Sequence, residues 1–319
     1  QNGSLQDMFQ KVQHSQAPPE WTDTARYIVL LGTALGMNHL HSLKITHKDL
    51  KPSNIILDEH FYPQISDFIL TKYNEKQLTK IFMRKSIENY FYVAPEINTG
   101  HPCTIKSDVY SFTVIAYELI TFQRSPIEIT EILGKSNQAF FKKCLSKEPS
   151  ERPTFFEICQ FIIRKSFMKV FNNNVNINEV NDFLDIFEED PIVMFLHGAL
   201  LDENKPNKEV TARYYKISAD KGNRKAMNNY AYMLKHGEGV PEDKNEAIYY
   251  YKMAIEKGNS RAMYNYALML EKGDGIDINK GEAARYYKMS ADKGNCKAMC
   301  NYAYMLEHGD GVSANVKEA

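Results

Sequence analysis

Hydrophobic positions along this chain follow two rhythms, and the clearer one lies toward the C-terminus. Ala226, Met227, Tyr230, Ala231 and Leu234 recur at the spacing of one helical face. That face returns at intervals of 36 residues, with Asn229-Tyr230-Ala231 repeated as Asn265-Tyr266-Ala267 and Asn301-Tyr302-Ala303. Polar punctuation keeps the same interval. Gly222-Asn223 recurs as Gly258-Asn259 and Gly294-Asn295, and the pair Gly237/Gly239 recurs as Gly273/Gly275 and Gly309/Gly311. Each copy therefore predicts two helices. The first runs from near Asn223 to about His236 and is broken by Gly237 through Pro241. The second opens on a capping-box pattern, Asp243 with Glu246, repeated by Asn279 with Glu282 and Asn315 with Glu318. It carries Tyr250, Tyr251 and Met253 and ends at Gly258, whose freedom suits a left-handed residue, while Asn259 suits an N-cap. Helix, loop, helix and tight turn in series predict an α-solenoid. A degenerate unit from about Pro191 to Lys221 precedes the regular copies and is expected to cap them.

The upstream rhythm is longer and less regular. Near-continuous apolar runs stand at Tyr27–Met37 and Val109–Ile120, and the second is read as part of a long apolar helix. Both are shorter than the ~20 residues that cross a bilayer, and the second contains Glu118, so no transmembrane helix is expected. Asn172-Asn173-Asn174 marks a loop. Beyond it Ile177, Val180, Phe183, Leu184 and Phe187 follow helical spacing above an acidic face of Glu179, Asp182, Asp185 and Glu188. This predicts a bridging helix that docks on the solenoid or on the first domain. A partner-binding helix is the sharper alternative.

Composition narrows the picture. The 319 residues are 43% hydrophobic and 25% charged, which is globular and long enough for about two domains. Thirty-nine basic against forty acidic residues leave a net charge of −1, which argues against a dedicated nucleic-acid binder. Charges alternate in sign through the solenoid, so membrane surfaces are also poor partners. The five cysteines (103, 144, 159, 296 and 300) show no C-x-x-C spacing, which argues against a disulfide framework and a structural zinc site. Cys296 and Cys300 are read as small buried residues, and a reducing, cytoplasmic compartment fits. The opening residues form no signal peptide. A start at Gln1 and an end in mid-pattern suggest a piece of a longer chain.

The chemistry-bearing residues lie in the first half. His47-Lys48-Asp49-Leu50-Lys51-Pro52-Ser53-Asn54 precedes Ile55-Ile56-Leu57, a predicted short strand. Asp67-Phe68 follows Asp49 by 18 residues, and Ala94-Pro95-Glu96 begins 27 residues after Asp67. Lys106-Ser107-Asp108 opens the second apolar run, and Glu151-Arg152-Pro153-Thr154 starts a further helix. In this order and spacing, residues 1–165 resemble the C-terminal lobe of eukaryotic protein kinases, of the serine/threonine type. The repeats resemble the Sel-one-like repeat, a relative of the tetratricopeptide repeat. The expected fold is thus mainly α: a helical kinase C-lobe with short β hairpins over 1–165, a linker with an amphipathic helix over 166–190, and an α-solenoid over 191–319.

The kinase resemblance implies roles. Phosphoryl transfer asks a protein for positioning and charge neutralisation. By resemblance, Asp49 accepts the proton of the attacking hydroxyl and Lys51 neutralises charge on the transferred phosphate. Asn54 and Asp67 each hold magnesium, hard oxygen ligands for a hard cation. His47 and Phe68 place the loop, Asp108 accepts its backbone hydrogens, and Glu96 and Arg152 form a buried ion pair. Thr71, Thr79, Ser86, Tyr90 and Tyr92 are candidate phosphorylation sites or ordinary loop residues. ATP and Mg2+ are implied as cofactors, provided that a nucleotide-covering N-terminal lobe lies upstream of Gln1.

Departures from the family pattern set an alternative beside this. No Gly-rich loop before a strand and no Val-Ala-x-Lys lysine occur in the sequence, so the segment alone is expected to be inactive. Lys48 stands where Arg forms a bidentate phosphate grip, Ile69 replaces a flexible Gly, and Glu88-Asn89 replaces Gly-Thr. The stretch from Asp108 to Arg152 is short for the family. The main reading is phosphoryl transfer from ATP to Ser or Thr of protein substrates in the intact chain, with the repeats recruiting substrates or regulators. The alternative is a pseudokinase scaffold. Tyr214, Tyr249, Tyr264, Tyr286 and Tyr304 are candidate contact residues on the repeats, against the reading that they pack helix on helix.

Overall fold

The two long apolar runs become the central helices of the N-terminal half. The computed structural model describes residues 2–67, 91–123, 133–172, 174–204 and 207–315. These divide into two compact units, Gln1–Phe183 and Leu184–Ala319.

In the first unit, β1 (Gly3–Ser4) leads into α1 (Leu5–Gln13), whose start is closed by a complete capping box between Ser4 and Asp7. Helix α2 (Asp23–Ser42) buries Tyr27 through Leu31, Ala34 and Met37. Helix α4 (Ile105–Thr121) is buried from Val109 through Ile120 except at Tyr110. Helix α3 (Pro95–Asn98) precedes it, and α5 (Gly134–Cys144), α6 (Phe155–Ile162) and the single turn α7 (Lys165–Met168) follow. Two polar side chains tie this core across the chain. Tyr27 donates its hydroxyl to the Ile162 carbonyl at 3.1 Å, and Arg26 donates to the Leu119 carbonyl at 2.8 Å while lying over the Phe122 and Phe171 rings. Such bonds satisfy groups that burial would otherwise penalise.

A small antiparallel sheet, ordered β1-β2-β3, carries the loop of interest. Strand β2 (Ile55–Leu57) pairs with β1 through Gly3–Leu57 and Ser4–Ile56, and with β3 (Pro63–Ile65) through Ile55–Ile65, Ile56–Gln64 and Leu57–Pro63. The Asp58 carboxylate closes the β2–β3 turn by accepting the N–H groups of His60 and Tyr62 at 2.9 and 2.8 Å. This hairpin returns the chain from Asn54 to Asp67: the Ser66 N–H donates to the Asn54 carbonyl at 2.9 Å.

The predicted amphipathic helix is α8 (Ile177–Asp185). Val180 and Phe183 are buried, and the Phe183 ring lies 5.0 Å from that of Tyr62, so this stretch docks within the first unit. Phe187 lies beyond the helix and is 40% exposed.

The second unit begins with α9 (Pro191–Asn204) and α10 (Lys208–Asp220), the degenerate pair. Then come α11 (Arg224–His236), α12 (Lys244–Glu256), α13 (Ser260–Lys272), α14 (Lys280–Ala291) and α15 (Cys296–His308). Gly237, Gly273 and Gly309 end the first helices at φ values of 65°, 69° and 65°, the left-handed region where a side chain is costly. The predicted capping boxes at Asp243 and Asn279 are half made, and Glu318 of the third lies outside the described residues. Asp243 accepts from the Glu246 N–H at 2.9 Å, but the Asp243 N–H, which the glutamate would take in a full box, donates instead to the Leu234 carbonyl. Asn279 and Asn315 repeat that bond to Leu270 and Leu306. Tertiary closure of the helix pair takes the donor that the local motif would have used.

Cys296 and Cys300 are exposed, contrary to the burial expected for them. Cys300 lies on a face of α15 that no described helix covers, whereas Cys296 stands at the repeat position of Arg224, which is exposed in its own copy as well. The equivalent face of earlier copies is filled: Met227 and Met263 are 0% and 2% exposed, while Met299 is 45% exposed. Tyr249 and Tyr304 are 59% and 57% exposed. Tyr264 and Tyr286 pack against Tyr287 and Tyr266, and Tyr214 stacks on His197 and donates to Asp185.

Candidate active site

Asp108, in the first turn of α4, is the point on which the site is built. It is 2% exposed, and its carboxylate accepts the backbone N–H of His47 at 2.8 Å and of Lys48 at 3.0 Å. His41 Nε2 lies 2.9 Å from the same carboxylate. Thr104 places Asp108 there by capping α4 through a complete box with Ser107. A buried carboxylate with these partners gives charge-assisted bonds, which hold the backbone of the following loop in one conformation. That conformation is unusual for L residues: Lys48 has φ 71° and Asp67 has φ 56°. Strained backbone persists only where surrounding bonds over-determine it.

His47 is fully buried. Its Nε2 lies 3.0 Å from the Ser66 carbonyl, and its Nδ1 accepts the Asp49 N–H at 3.3 Å. A carbonyl only accepts and an N–H only donates, so these partners fix the neutral tautomer with the proton on Nε2. Burial lowers its pKa from 6.5 and outweighs the opposing pull of Asp108. The imidazole is thus a rigid spacer between the loop and the β3 strand.

Downstream, Pro52 starts a single 3-10 turn that ends at Asn54. Asn54 Nδ2 donates to the Asp49 carbonyl at 2.8 Å, closing the loop on itself. Asp49 Oδ2 and Lys51 Nζ lie 3.1 Å apart, with side chains 18% and 16% exposed. Asp67 is exposed at the end of the hairpin, joined to Asn54 through the Ser66 bond. His47, Asp49, Lys51, Asn54, Asp67 and Asp108 therefore come together. Phe68, Ile69, Thr71, Thr79, Ser86, Glu88, Asn89 and Tyr90 lie outside the described residues.

Glu96 and Arg152 form a second, separate centre. Their two ends pair as a fork, Nη1 to Oε1 and Nη2 to Oε2, both at 2.7 Å. Arg152 is 1% exposed and also donates to the Ser146 and Lys106 carbonyls at 2.9 and 3.0 Å, while Ser107 Oγ donates to Glu96 at 2.9 Å. Burial pushes the Glu96 carboxyl up, but the bonds from Arg152, its own backbone and Ser107 hold it below the usual range. A buried pair this fully bonded specifies geometry, because either partner alone would be costly.

Between these centres lies a shallow cleft, open to solvent, lined by Asp49, Lys51, Tyr92, Ile97, Cys103 and Ser111 among others. Burial, with Asp108 nearby, pushes the Cys103 thiol up to about 11, so it is no nucleophile at neutral pH. Tyr92 is 6% exposed, with its hydroxyl on Glu118 at 2.5 Å and its carbonyl accepting from Ser111 at 2.6 Å. It is a wall of the cleft, and that burial disfavours it as a modification site.

Sequence reasoning missed His41, Ser107, Ser146 and the Tyr92–Glu118 bond. Only His41 left a trace, as a histidine in the last turn of α2 just before the loop.

The protein kinase domain matches residues 1–162, and the Sel1 repeat matches 193–223, 224–259, 260–295 and 296–319. The chain is 35% identical over 170 residues to "Receptor-like kinase LIP1" of Arabidopsis thaliana, covering 52% of this chain and 26% of that protein. It is 32% identical over 195 residues to "Probable serine/threonine-protein kinase PBL24" of the same organism, covering 60% and 47%. The chain thus spans about a quarter to a half of these relatives' length. A Sel1 repeat protein from Oxalobacter formigenes aligns in structure at 20% identity and TM-score 0.44, over 58% of this chain and 75% of that one. With the loop centred on Asp108, the Glu96–Arg152 fork and the four repeats in place, this chain belongs to the protein kinase domain family, in a form that carries Sel1 repeats.

Proposed function

We propose that the first unit is the catalytic-loop part of a serine/threonine protein kinase that transfers phosphate from ATP in the intact protein. The observation that carries this reading is the Asp49–Lys51 pair, held 3.1 Å apart on a loop pinned by Asp108 before it and by Asn54 after it. The Asp49 carboxylate accepts the proton of a protein hydroxyl as that oxygen bonds to phosphorus. The Lys51 ammonium offsets charge on the transferred group.

The residues present fit a magnesium ion. Asn54 commits its Nδ2 to the Asp49 carbonyl and accepts from Ser53 Oγ at 3.3 Å through Oδ1, whose second lone pair is a hard oxygen donor, and Asp67 contributes an exposed carboxylate. Two such donors suit a cation that keeps water and takes phosphate oxygens for its remaining positions. When bound, the ion supplies charge neutralisation at the phosphates. His47 and Asp108 are positioning residues, and Glu96–Arg152 ties the segment before α4 to the start of α6.

The Sel1 repeats serve as the protein-binding part, recruiting substrates or regulators. The described residues include no helix long and apolar enough to cross a membrane. Five unpaired thiols support a cytoplasmic setting.

The test is magnesium-dependent ATP binding and phosphotransfer by the intact protein. Asp67→Asn should abolish the magnesium-dependent thermal shift with ATP. Asp49→Asn should keep that shift while phosphotransfer falls roughly 10²–10⁴-fold. A folded protein that shows no nucleotide shift sinks the enzyme reading and leaves a scaffold. Residues 1–319 alone should show no phosphotransfer.

A further inference from the structure

The two edges of the repeat unit treat their lysines differently. At the loop edge, between the two helices of a copy, four lysines are neutralised by carboxylates of their own or the next copy, and only Lys272 among those of the regular copies is left without an ion pair among the described residues. Lys208 pairs with Asp202 and Glu238 at 2.7 and 3.1 Å, Lys244 and Lys235 with Asp274 at 2.8 and 3.0 Å, and Lys280 with Asp310 at 2.9 Å.

At the turn edge, where one copy passes to the next, cations stand in two columns of 36-residue period: Lys221, Lys257 and Lys293, and Lys225, Arg261 and Lys297. Lys221 is taken by Glu189. Lys257, Arg261, Lys293 and Lys297 are exposed, and none forms an ion pair among the described residues. Two cations of this edge are also close together. The point where a Cβ would stand on Gly258 is 3.7 Å from both Arg224 Nη1 and Lys293 Nζ, so these two cations, from copies on either side, lie within twice that distance of each other. The same point on Gly222 is 3.6 Å from Lys257 Nζ. Arg224 is held in place by a 3.1 Å bond to the Lys257 carbonyl. Cations held close together with no ion pair of their own are unfavourable in the free protein and are relieved by an anionic partner.

We infer that this basic turn edge, running from Arg224 through Lys257 and Arg261 to Lys293 and Lys297, docks an extended acidic segment of a partner protein. The interleaved residues set the chemical class. Glu256 and Asp292 are exposed one position before Lys257 and Lys293. A uniformly charged phosphate backbone would meet a repelling carboxylate in each copy, whereas a peptide with spaced carboxylates meets cations at matching intervals. The inference rests on the reading of the repeats as a protein-binding unit and names which face acts and what it selects.

The test uses the full chain and fluorescence anisotropy with four labelled probes of equal length: a Glu-Ser peptide, a Lys-Ser peptide, an uncharged Gly-Ser peptide and a single-stranded oligonucleotide. The Glu-Ser peptide should bind, and more weakly as salt is added. Combined Lys257→Glu, Arg261→Glu, Lys293→Glu and Lys297→Glu should weaken it by about tenfold or more, with Lys272→Glu on the other edge leaving it unchanged. Should the fourfold variant lose its helical signal, the single changes Lys257→Glu and Lys293→Glu carry the test, each expected to weaken binding. Binding that charge reversal does not alter, or tighter binding of the oligonucleotide, overturns the basic edge while leaving the repeats as a binding unit. No binding of any peptide overturns the basic edge and counts against the binding role as well.

Discussion

The two units of this protein are held by opposite kinds of contact. In the first, the decisive bonds join residues far apart in the chain. His47 and Asp108 are 61 positions apart, Glu96 and Arg152 are 56 apart, and Tyr27 and Ile162 are 135 apart. In the second, equivalent bonds link near neighbours in series. Asn259 donates to the Arg224 carbonyl across 35 positions, Asn265 to Asn228 across 37, and Tyr250 to Asp220 across 30. The first unit concentrates its order at two buried polar centres, each of which fails as a whole if one partner is removed. The repeat unit spreads its order over copies, so no single bond decides it.

The largest expected effect breaks the first kind of contact. Arg152→Ala leaves Glu96 without its guanidinium and should cost about 3–5 kcal/mol. Hydrogen exchange resolved by segment should show protection lost through residues 95–162 and retained in 224–308. Equal loss in both stretches would refute the division drawn here.

A glycine pair sharpens the second kind. A Cβ on Gly239 would stand 2.1 Å from the Lys208 backbone, whereas nothing lies within 4 Å of one on Gly294. Both have positive φ, at 71° and 84°. Gly294→Ala should therefore cost only the left-handed penalty, ~1 kcal/mol, and Gly239→Ala that plus roughly 1–3 kcal/mol of overpacking. Local exchange rates in α10 and α11 against α14 and α15 measure the difference, and equal costs would contradict the close approach.

The smallest effect is one of acidity. Burial lowers the His197 pKa from 6.5 to about 4, against the opposing pull of Asp185. The folded form holds this ring neutral, so the unfolded chain binds the extra proton. Stability from this group is full above 6.5 and is lost as pH falls from 6.5 toward about 4. Protection around α9 should decline over that window, by about 1–2 kcal/mol at pH 5. His197→Gln should flatten the decline, and an unchanged slope would assign it elsewhere. The Glu96 carboxyl, held below 4.5, withdraws its support for the first unit only at lower pH still.

Much of this was legible in the residues. The 36-residue period, the left-handed glycines and the asparagine N-caps all stand where the pattern puts them, because each is a local requirement of one helix end. The strand at Ile55–Leu57 and the helix that carries Lys106-Ser107-Asp108 were equally local. The motif order also singled out Asp49, Lys51, Asn54, Asp67 and Asp108, which the fold brings together around one loop.

Other features needed the folded chain. Nothing local distinguishes His41 from any histidine at a helix end, and only the packing of α2 beside α4 brings it to Asp108. Cys300 sits at the same repeat position as buried Asn228, yet it is exposed because no described helix covers its face. The half-made capping boxes failed for a related reason, as helix-pair closure claimed the Asp243 N–H first. The sequence by itself determined every element whose donors and acceptors are satisfied within a few residues, together with the identity of the chemical groups. Tertiary structure alone decided which distant partners complete the buried polar centres, which repeat faces stay open, and which lysines keep their charge unpaired. Those outcomes depend on what lies across the packed interface, and a linear pattern does not contain it.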